Sequence, residues 1–305
     1  MVFKKFMAKL GKGGAKVDLI LDKEEYASGE TIHGELMILG GAVAQEINKI
    51  DIDFVVQLHG KEQIFTHLIE RFPFHEAFTI QPGERKVLPF TYSLPTNLLL
   101  SGHAISYTFI THLDIAEAID HKDHDPVIIQ APPRLKRVFA ALSELGFTEK
   151  YSSRSFDGHL QEFEFAPTSL FCGDIKELEF VAKIEDEGIH MLIEVDIPSF
   201  MGKKEVKREI YLDNSLLEQG SELTDQLKQI IAEMISSPLS FAHDKKTFYH
   251  NYHQKWSRST GAIGGFAAGW LATELLEDLF EDAFADGSEA DEDSLFAFSE
   301  EEEID

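Results

Sequence analysis

Histidines and acids gather between residues 112 and 125. His112, Asp114, Asp120, His121, Asp123, His124 and Asp125 offer the imidazoles and carboxylates that bind zinc or a harder cation. Their spacing matches no defined metal motif, and Ala116 to Pro126 reads as an exposed loop joining two strands, so no metal and no cofactor are expected. His243, His250 and His253, beside Tyr249 and Tyr252, read as packing or surface residues. No G-x-S-x-G nucleophile elbow occurs. Lys12-Gly13-Gly14-Ala15-Lys16 has the residue types of a phosphate-cradling loop, but it precedes a strand pattern, whereas a phosphate loop follows one. Paired carboxylates are abundant in so acidic a chain and single out no general acid and base. The expectation is a protein that is not an enzyme, with no catalytic residue.

The remaining chemistry is that of binding. Between residues 241 and 258, Phe241, Phe248, Tyr249, Tyr252 and Trp256 interleave with Lys245, Lys246, Lys255 and Arg258. Aromatics and cations together hold single-stranded nucleic acid. The alternative is that the aromatics pack onto a domain while the cations stay solvated, and the acidic tail nearby favours it, so no nucleic-acid partner is expected. At the N-terminus, Phe3, Phe6, Met7 and Leu10 recur at helical spacing, with Lys4, Lys5 and Lys9 on the other side. Such a stripe covers a groove on the body or, at roughly 1 kcal/mol per surface lysine, makes weak contact with an anionic membrane. Gly261, Gly265 and Gly269 would form a smooth helical stripe suited to intramolecular docking or self-association. Trp270, Leu276 and Phe280 in the segment that follows, and Leu295, Phe296 and Phe298 among the terminal acids, complete the candidate interaction residues with Phe3, Lys4, Lys5, Phe6, Lys9 and Leu10. The partners expected are proteins of unspecified identity.

These residues must be positioned by a body whose class follows from composition. The chain has 305 residues, 43% of hydrophobic type, enough for two cores. It carries 28 basic and 54 acidic residues, a net charge of −26. The charge is uneven: Met1 to Lys16 holds five lysines and no acid, whereas Glu274 to Asp305 holds fifteen acids and no Lys or Arg. So acidic a chain is a poor general binder of nucleic acid. A single cysteine, Cys172, excludes an internal disulfide and suits a reducing, cytoplasmic setting, with the inner face of the membrane as the peripheral alternative. No apolar run reaches the roughly 18 residues of a spanning helix, and the lysine-bearing N-terminus lacks a secretory signal pattern.

After a basic amphipathic helix over 1–15, the apolar period becomes two. Ile50, Ile52, Phe54, Val56 and Leu58 alternate with mostly polar neighbours, as do Ile105, Tyr107, Phe109, Thr111 and Leu113. Shorter strand candidates lie at 17–21, 31–39, 63–72, 77–80, 87–92 and 127–131, separated by Ser28-Gly29, Gly40-Gly41, Pro82-Gly83 and Pro95-Thr96-Asn97. The pattern predicts an antiparallel sandwich over 16–131. Pro132-Pro133 marks a connector. Residues 134–236 form a second β-rich domain with flanking helices: a helix bearing Leu135, Val138, Phe139, Leu142 and Leu145, a hairpin across Asp186-Glu187-Gly188, a strand with Val206, Ile210 and Leu212, and a helix over 221–235. An aromatic and histidine-rich linker (237–260), a Gly/Ala segment with an acidic amphipathic helix (261–285) and a disordered acidic tail (286–305) follow.

The order of these features resembles the arrestin N-terminal sandwich. Asp22 to Gly34 looks like its first hairpin, and Pro82-Gly83, Pro89 to Pro95, Ser101, Ser106-Tyr107 and Leu113-Asp114 match its later strands. Over about residues 1–285 the chain is similar to the bacterial sporulation-control proteins of the stage-zero M type. Leu135 to Phe147, Gly173 to Glu179 with the hairpin to Asp196, and the Gly/Ala segment before the acidic helix carry that similarity. The resemblance implies a mainly β, arrestin-like tandem β-sandwich whose second domain is mixed with added helices, plus terminal helices. It also implies an intracellular regulator or adaptor acting through protein–protein interaction; the basic N-terminal helix offers a peripheral membrane adaptor as the alternative. By analogy with arrestins, the basic head and acidic tail are expected to gate the binding surfaces.

Overall fold

The computed structural model describes residues 13–60, 64–74, 77–156, 160–199 and 202–238, together with Phe241 and Phe248. The fold is mainly β. Fifteen strands occur among the described residues: β1 (Lys16–Leu21), β2 (Glu25–Ala27), β3 (Thr31–Leu39), β4 (Gln45–His59), β5 (Ile64–Phe74), β6 (Phe78–Ile80), β7 (Arg85–Ser93), β8 (Ile105–Ile115), β9 (His121–Gln130), β10 (Phe147–Glu149), β11 (Ser155–Phe156), β12 (Gln161–Pro167), β13 (Glu177–Ile184), β14 (Gly188–Ser199) and β15 (Gly202–Asp213). Three helices accompany them: α1 (Pro133–Glu144), α2 (Asn214–Glu218) and α3 (Gly220–Ser236).

The first half is a sandwich of a β1-β3-β7 sheet and a β2-β9-β8-β4-β5 sheet, with β6 pairing β4. Alternation puts Ile50, Ile52, Phe54 and Val56 of β4 inward, where they meet Leu19, Ile32, Leu36 and Phe90 from the facing sheet. Phe54 is central: its ring stacks on Phe109 at 4.6 Å and on Tyr107 at 5.6 Å, while Tyr92 approaches edge-on at 5.6 Å. The first hairpin departs from the sequence expectation, because β2, lying between β1 and β3, crosses to the other sheet and pairs with β9 in parallel. Tyr26 explains the excursion: it is buried in the core, and its hydroxyl donates to Asp22 and accepts from the Lys23 backbone.

The second half is built differently. One sheet, β10-β12-β13-β14-β15 with β11 on β12, is covered on one face by α1 and α3. Leu178 and Phe180 from β13, Met191, Ile193 and Val195 from β14 and Phe163 and Phe165 from β12 meet Val138, Leu142, Leu227 and Ile231 there. Proline at the first position of α1 suits a turn whose N–H groups have no helical acceptor. Gly146 ends that helix at φ 81°, and a Cβ there would lie 1.7 Å from the Ser169 hydroxyl.

A polar knot joins the halves. The buried Gln161 side chain accepts from Leu100 N at 2.7 Å and donates to Leu100 O at 2.8 Å, as a neighbouring strand would. Arg154 pairs with Glu149 through Nε and Nη2 at 2.8 and 3.1 Å and donates to the Ser101 carbonyl at 2.9 Å. Phe156 crosses over to pack in the first core, and Leu100 in the second.

Candidate interaction surface

The histidine and acid cluster of residues 112–125 is dispersed by the fold. The expected loop is corrected: β9 begins at His121, so most of the stretch is strand. His112 points outward on β8, its Nε2 3.3 Å from Asp53. Asp53 in turn takes a two-point contact from Arg71 at 2.6 and 2.8 Å, which, against the opposing effect of burial, holds its carboxyl below the usual range. Asp114 accepts from Asn48, and Asp120 accepts from Ile115 N. His121 and Asp123 face β1, accepting from Val17 N at 3.4 Å and Leu19 N at 3.1 Å and so bridging the two sheets. Asp123 and Asp125 meet Asp18, with carboxylate oxygens within 4.8 Å of one another. Burial, with the charges of Asp123 and Asp18, pushes Asp125 up to about 7, and its Oδ2 is buried without a hydrogen bond. Asp18 was invisible as a member because it lies more than a hundred positions away.

A larger concentration of charge lies on the face of the second sheet opposite the helices. If Leu178, Phe180, Met191 and Ile193 face the helices, period two turns Glu177, Glu179, Val181, Leu192, Glu194 and Asp196 the other way. Register sets Glu164 of β12, Glu179 of β13 and Glu194 of β14 abreast, with Lys207 of β15 next in line. Three like charges across adjacent strands repel one another. Cations relieve the edges of the row. Lys150 pairs with Glu164 at 3.1 Å and with Glu177, and Lys207 pairs with Glu194 at 2.9 Å. Lys203 bridges Asp196 at 3.1 Å and Glu205 at 2.9 Å, holding Glu205 at about 2. Glu179, in the middle, has no cation paired with it among the described residues. Burial, and then the charges of Glu162, Glu194, Glu177 and Glu164, push it up to about 7. Glu194 also rises, because burial outweighs its bond to Lys207.

The neighbouring row reads Glu162, Val181, Leu192, Glu209 across the same four strands. Val181 and Leu192 are therefore a two-residue apolar spot bordered by Glu162, Glu179, Glu194 and Glu209, with Lys183 and His190 on the remaining side. Phe248 sits on this spot, 1% exposed, packed with Val181, Leu192 and Leu160. Phe241 is held on the helix side: it packs against that core, and the Arg208 guanidinium lies 4.7 Å from its ring centre.

The other candidate interaction residues, Phe3, Lys4, Lys5, Phe6, Lys9, Leu10, Trp270, Leu276, Phe280, Leu295, Phe296 and Phe298, lie outside the described residues, as do His243, His250 and His253.

Comparison with known proteins adds a family to this geometry. Residues 3–198 match the family model described as SpoOM protein. The chain belongs to the SpoOM family. It is similar to the sporulation-control protein spo0M of Bacillus subtilis (strain 168), being 33% identical over 252 residues that cover 76% of this chain and 97% of that protein. The crystal structure of Spo0M from Bacillus subtilis resembles it with a TM-score of 0.57 at 30% identity, covering 72% of this chain and 99% of that one. The SpoOM match takes in the first core and the acidic face as far as Asp196, and ends before β15 and Phe248. No described helix is long and apolar enough to cross a membrane.

Proposed function

We propose that this SpoOM member is a non-enzymatic regulatory adaptor of the sporulation-control type, acting in the cytoplasm by binding protein partners on the acidic face of its second sheet. The similarity to a sporulation-control protein supports the regulatory role. The observation that carries the surface is the in-register row of Glu164, Glu179 and Glu194 beside an apolar spot that accepts an aromatic ring. A lone hydrophobic sheet face would be closed by a second sheet or by helices; this one keeps its carboxylates crowded at a cost, around a small hydrophobic anchor point. Anchors of that kind, framed by charge, concentrate binding energy in one aromatic and leave specificity to the frame.

The test compares wild type with Glu162→Lys/Glu179→Lys, both shown by thermal melting to be folded. Each is used to capture partners from the native host and to restore the regulated phenotype in a strain lacking the gene. The adaptor reading expects the variant to lose a defined set of partners and to fail in complementation. An unchanged partner set with full complementation would refute this face. Cosedimentation with anionic vesicles, abolished by salt and by reversal of Lys4, Lys5 and Lys9, would instead support the membrane adaptor.

A further inference from the structure

We propose that Asp18, Asp123, Asp125 and Thr111 form a binding site for a hard divalent cation of calcium size at the open edge of the first sandwich. The site is independent of the acidic face of the second sheet.

Spacing within residues 112–125 predicts no metal, but the fold adds Asp18 from β1 and places Thr111 of β8 beside the acids. In the β8–β9 register Thr111 stands opposite Asp123, so the two side chains share the inward face, with Cβ atoms about 4.5–5.5 Å apart. Asp18 lies between Val17 and Leu19, whose N–H groups donate to His121 and Asp123, and those two bonds hold β1 against β9. Because β2 pairs with β9 only at Ile128, Ile129 and Gln130, β9 is an outer strand over 121–126. The cluster therefore sits where the outer strands of the two sheets meet, with Asp18 exposed to solvent. A cation held there would tie β1 to β9 across residues more than a hundred positions apart.

Three observations point to a cation. First, carboxylate oxygens of the three acids lie within 4.8 Å of one another. A calcium ion takes oxygens at about 2.3–2.6 Å, so ligands on opposite sides of it stand about 4.6–5.2 Å apart, and the cluster fits that shell. Magnesium, at about 2.0–2.1 Å, spans only about 4.2 Å. Second, among the described residues no lysine or arginine pairs with Asp18, Asp123 or Asp125. The other acidic grouping, Glu194, Asp196 and Glu205, already holds Lys203 and Lys207. Third, Thr111 is fully buried and its Oγ1 has no hydrogen-bond partner; the buried Asp125 Oδ2 has none either. Unpaired buried oxygens are costly, and a cation is the ligand that oxygens alone can satisfy. His121 stays outside the ligand set, since its Nδ1 accepts from Val17 N.

The experiment strips the full chain with EDTA and follows melting on separate additions of millimolar calcium, magnesium or zinc chloride. Wild type is compared with Asp18→Asn, Asp125→Asn and Thr111→Val. Calcium is expected to raise the wild-type melting temperature by about 3 °C or more, and magnesium by less. In chelator each variant should melt no lower than wild type, because each removes a repelled charge or an unpaired hydroxyl. In calcium each should fall behind, with the affinity of the two asparagine variants, by titration calorimetry, reduced at least about tenfold. Loose attraction of cations to so acidic a chain is common to wild type and variants, so the comparison removes it. No calcium gain in wild type, a larger gain from magnesium or zinc, or an undiminished gain in Asp18→Asn or Thr111→Val overturns the site. Asp18 is exposed, so its variant keeps the test decisive if a buried one fails to fold.

Discussion

Glu179 shows how a single side chain reports on a whole face. Its carboxyl stands near 7 in the folded chain against an ordinary 4.5, so the folded state holds more protons than the unfolded one and stability falls as pH rises through that window. Glu179→Gln removes the dependence. Its melting temperature should exceed wild type by about 2–4 °C at pH 8, the shift expected for about 1 kcal/mol, and converge with it near pH 4.5. A constant difference across that range would mean the carboxyl is not buried among like charges. Asp125 follows the same sign, since it too is pushed up to about 7, from 3.8, and leaves a buried oxygen without a donor. Asp125→Asn should therefore stabilise the sandwich at pH 8, read by urea denaturation, and lose that advantage by pH 4. Glu179 does not stand out in the sequence, and Asp125 does so only as one of seven candidate ligands. Glu179 is one of many acids until register sets it between Glu164 and Glu194, and Asp125 needs Asp18 beside it.

At the level of elements, period two was legible and its second meaning was not. The apolar set Leu178, Phe180, Met191 and Ile193 located the β13–β14 hairpin, and the turn at Asp186-Glu187-Gly188 fixed its pairing. The same register dictates that Glu179 opposes Glu194, so half of the acidic face could have been derived from that turn. Glu164 and Lys207 could not, because β12 and β15 enter from outside the hairpin. β9 was missed over 121–126 because its inward residues are His and Asp, whose polarity imitates a loop; they accept backbone N–H groups of β1 instead of packing on a core. The knot at Gln161 was equally silent, since one glutamine carries no periodic signal. It makes a definite prediction. Gln161→Ala leaves the buried N–H and C=O of Leu100 without partners and should cost about 2 kcal/mol. Amide exchange at Leu100 should accelerate selectively; unchanged protection there would mean that another group or water substitutes for the amide.

Across the whole molecule, two cores hold two different architectures: sheets facing each other in the first half, a sheet under helices in the second. The resemblance to arrestins anticipated sheet-rich tandem units, and membership of the SpoOM family agrees with the mainly β fold. What composition could not convey is that covering only one side of the second sheet leaves a charged side for Phe248 to occupy. The sequence pattern of the segment around it predicts aromatics packed on a domain, and Phe248 packs there. The central claim is that Phe248 covers the apolar spot formed by Val181 and Leu192 on this face. Thiol labelling tests it most directly, because Cys172 is the sole native cysteine and is exposed. With Cys172→Ser and Leu192→Cys, the thiol at 192 should react slowly in the otherwise native chain. Reaction should quicken when Phe248→Ala is added. Labelling that is equally fast with and without Phe248→Ala would contradict the account.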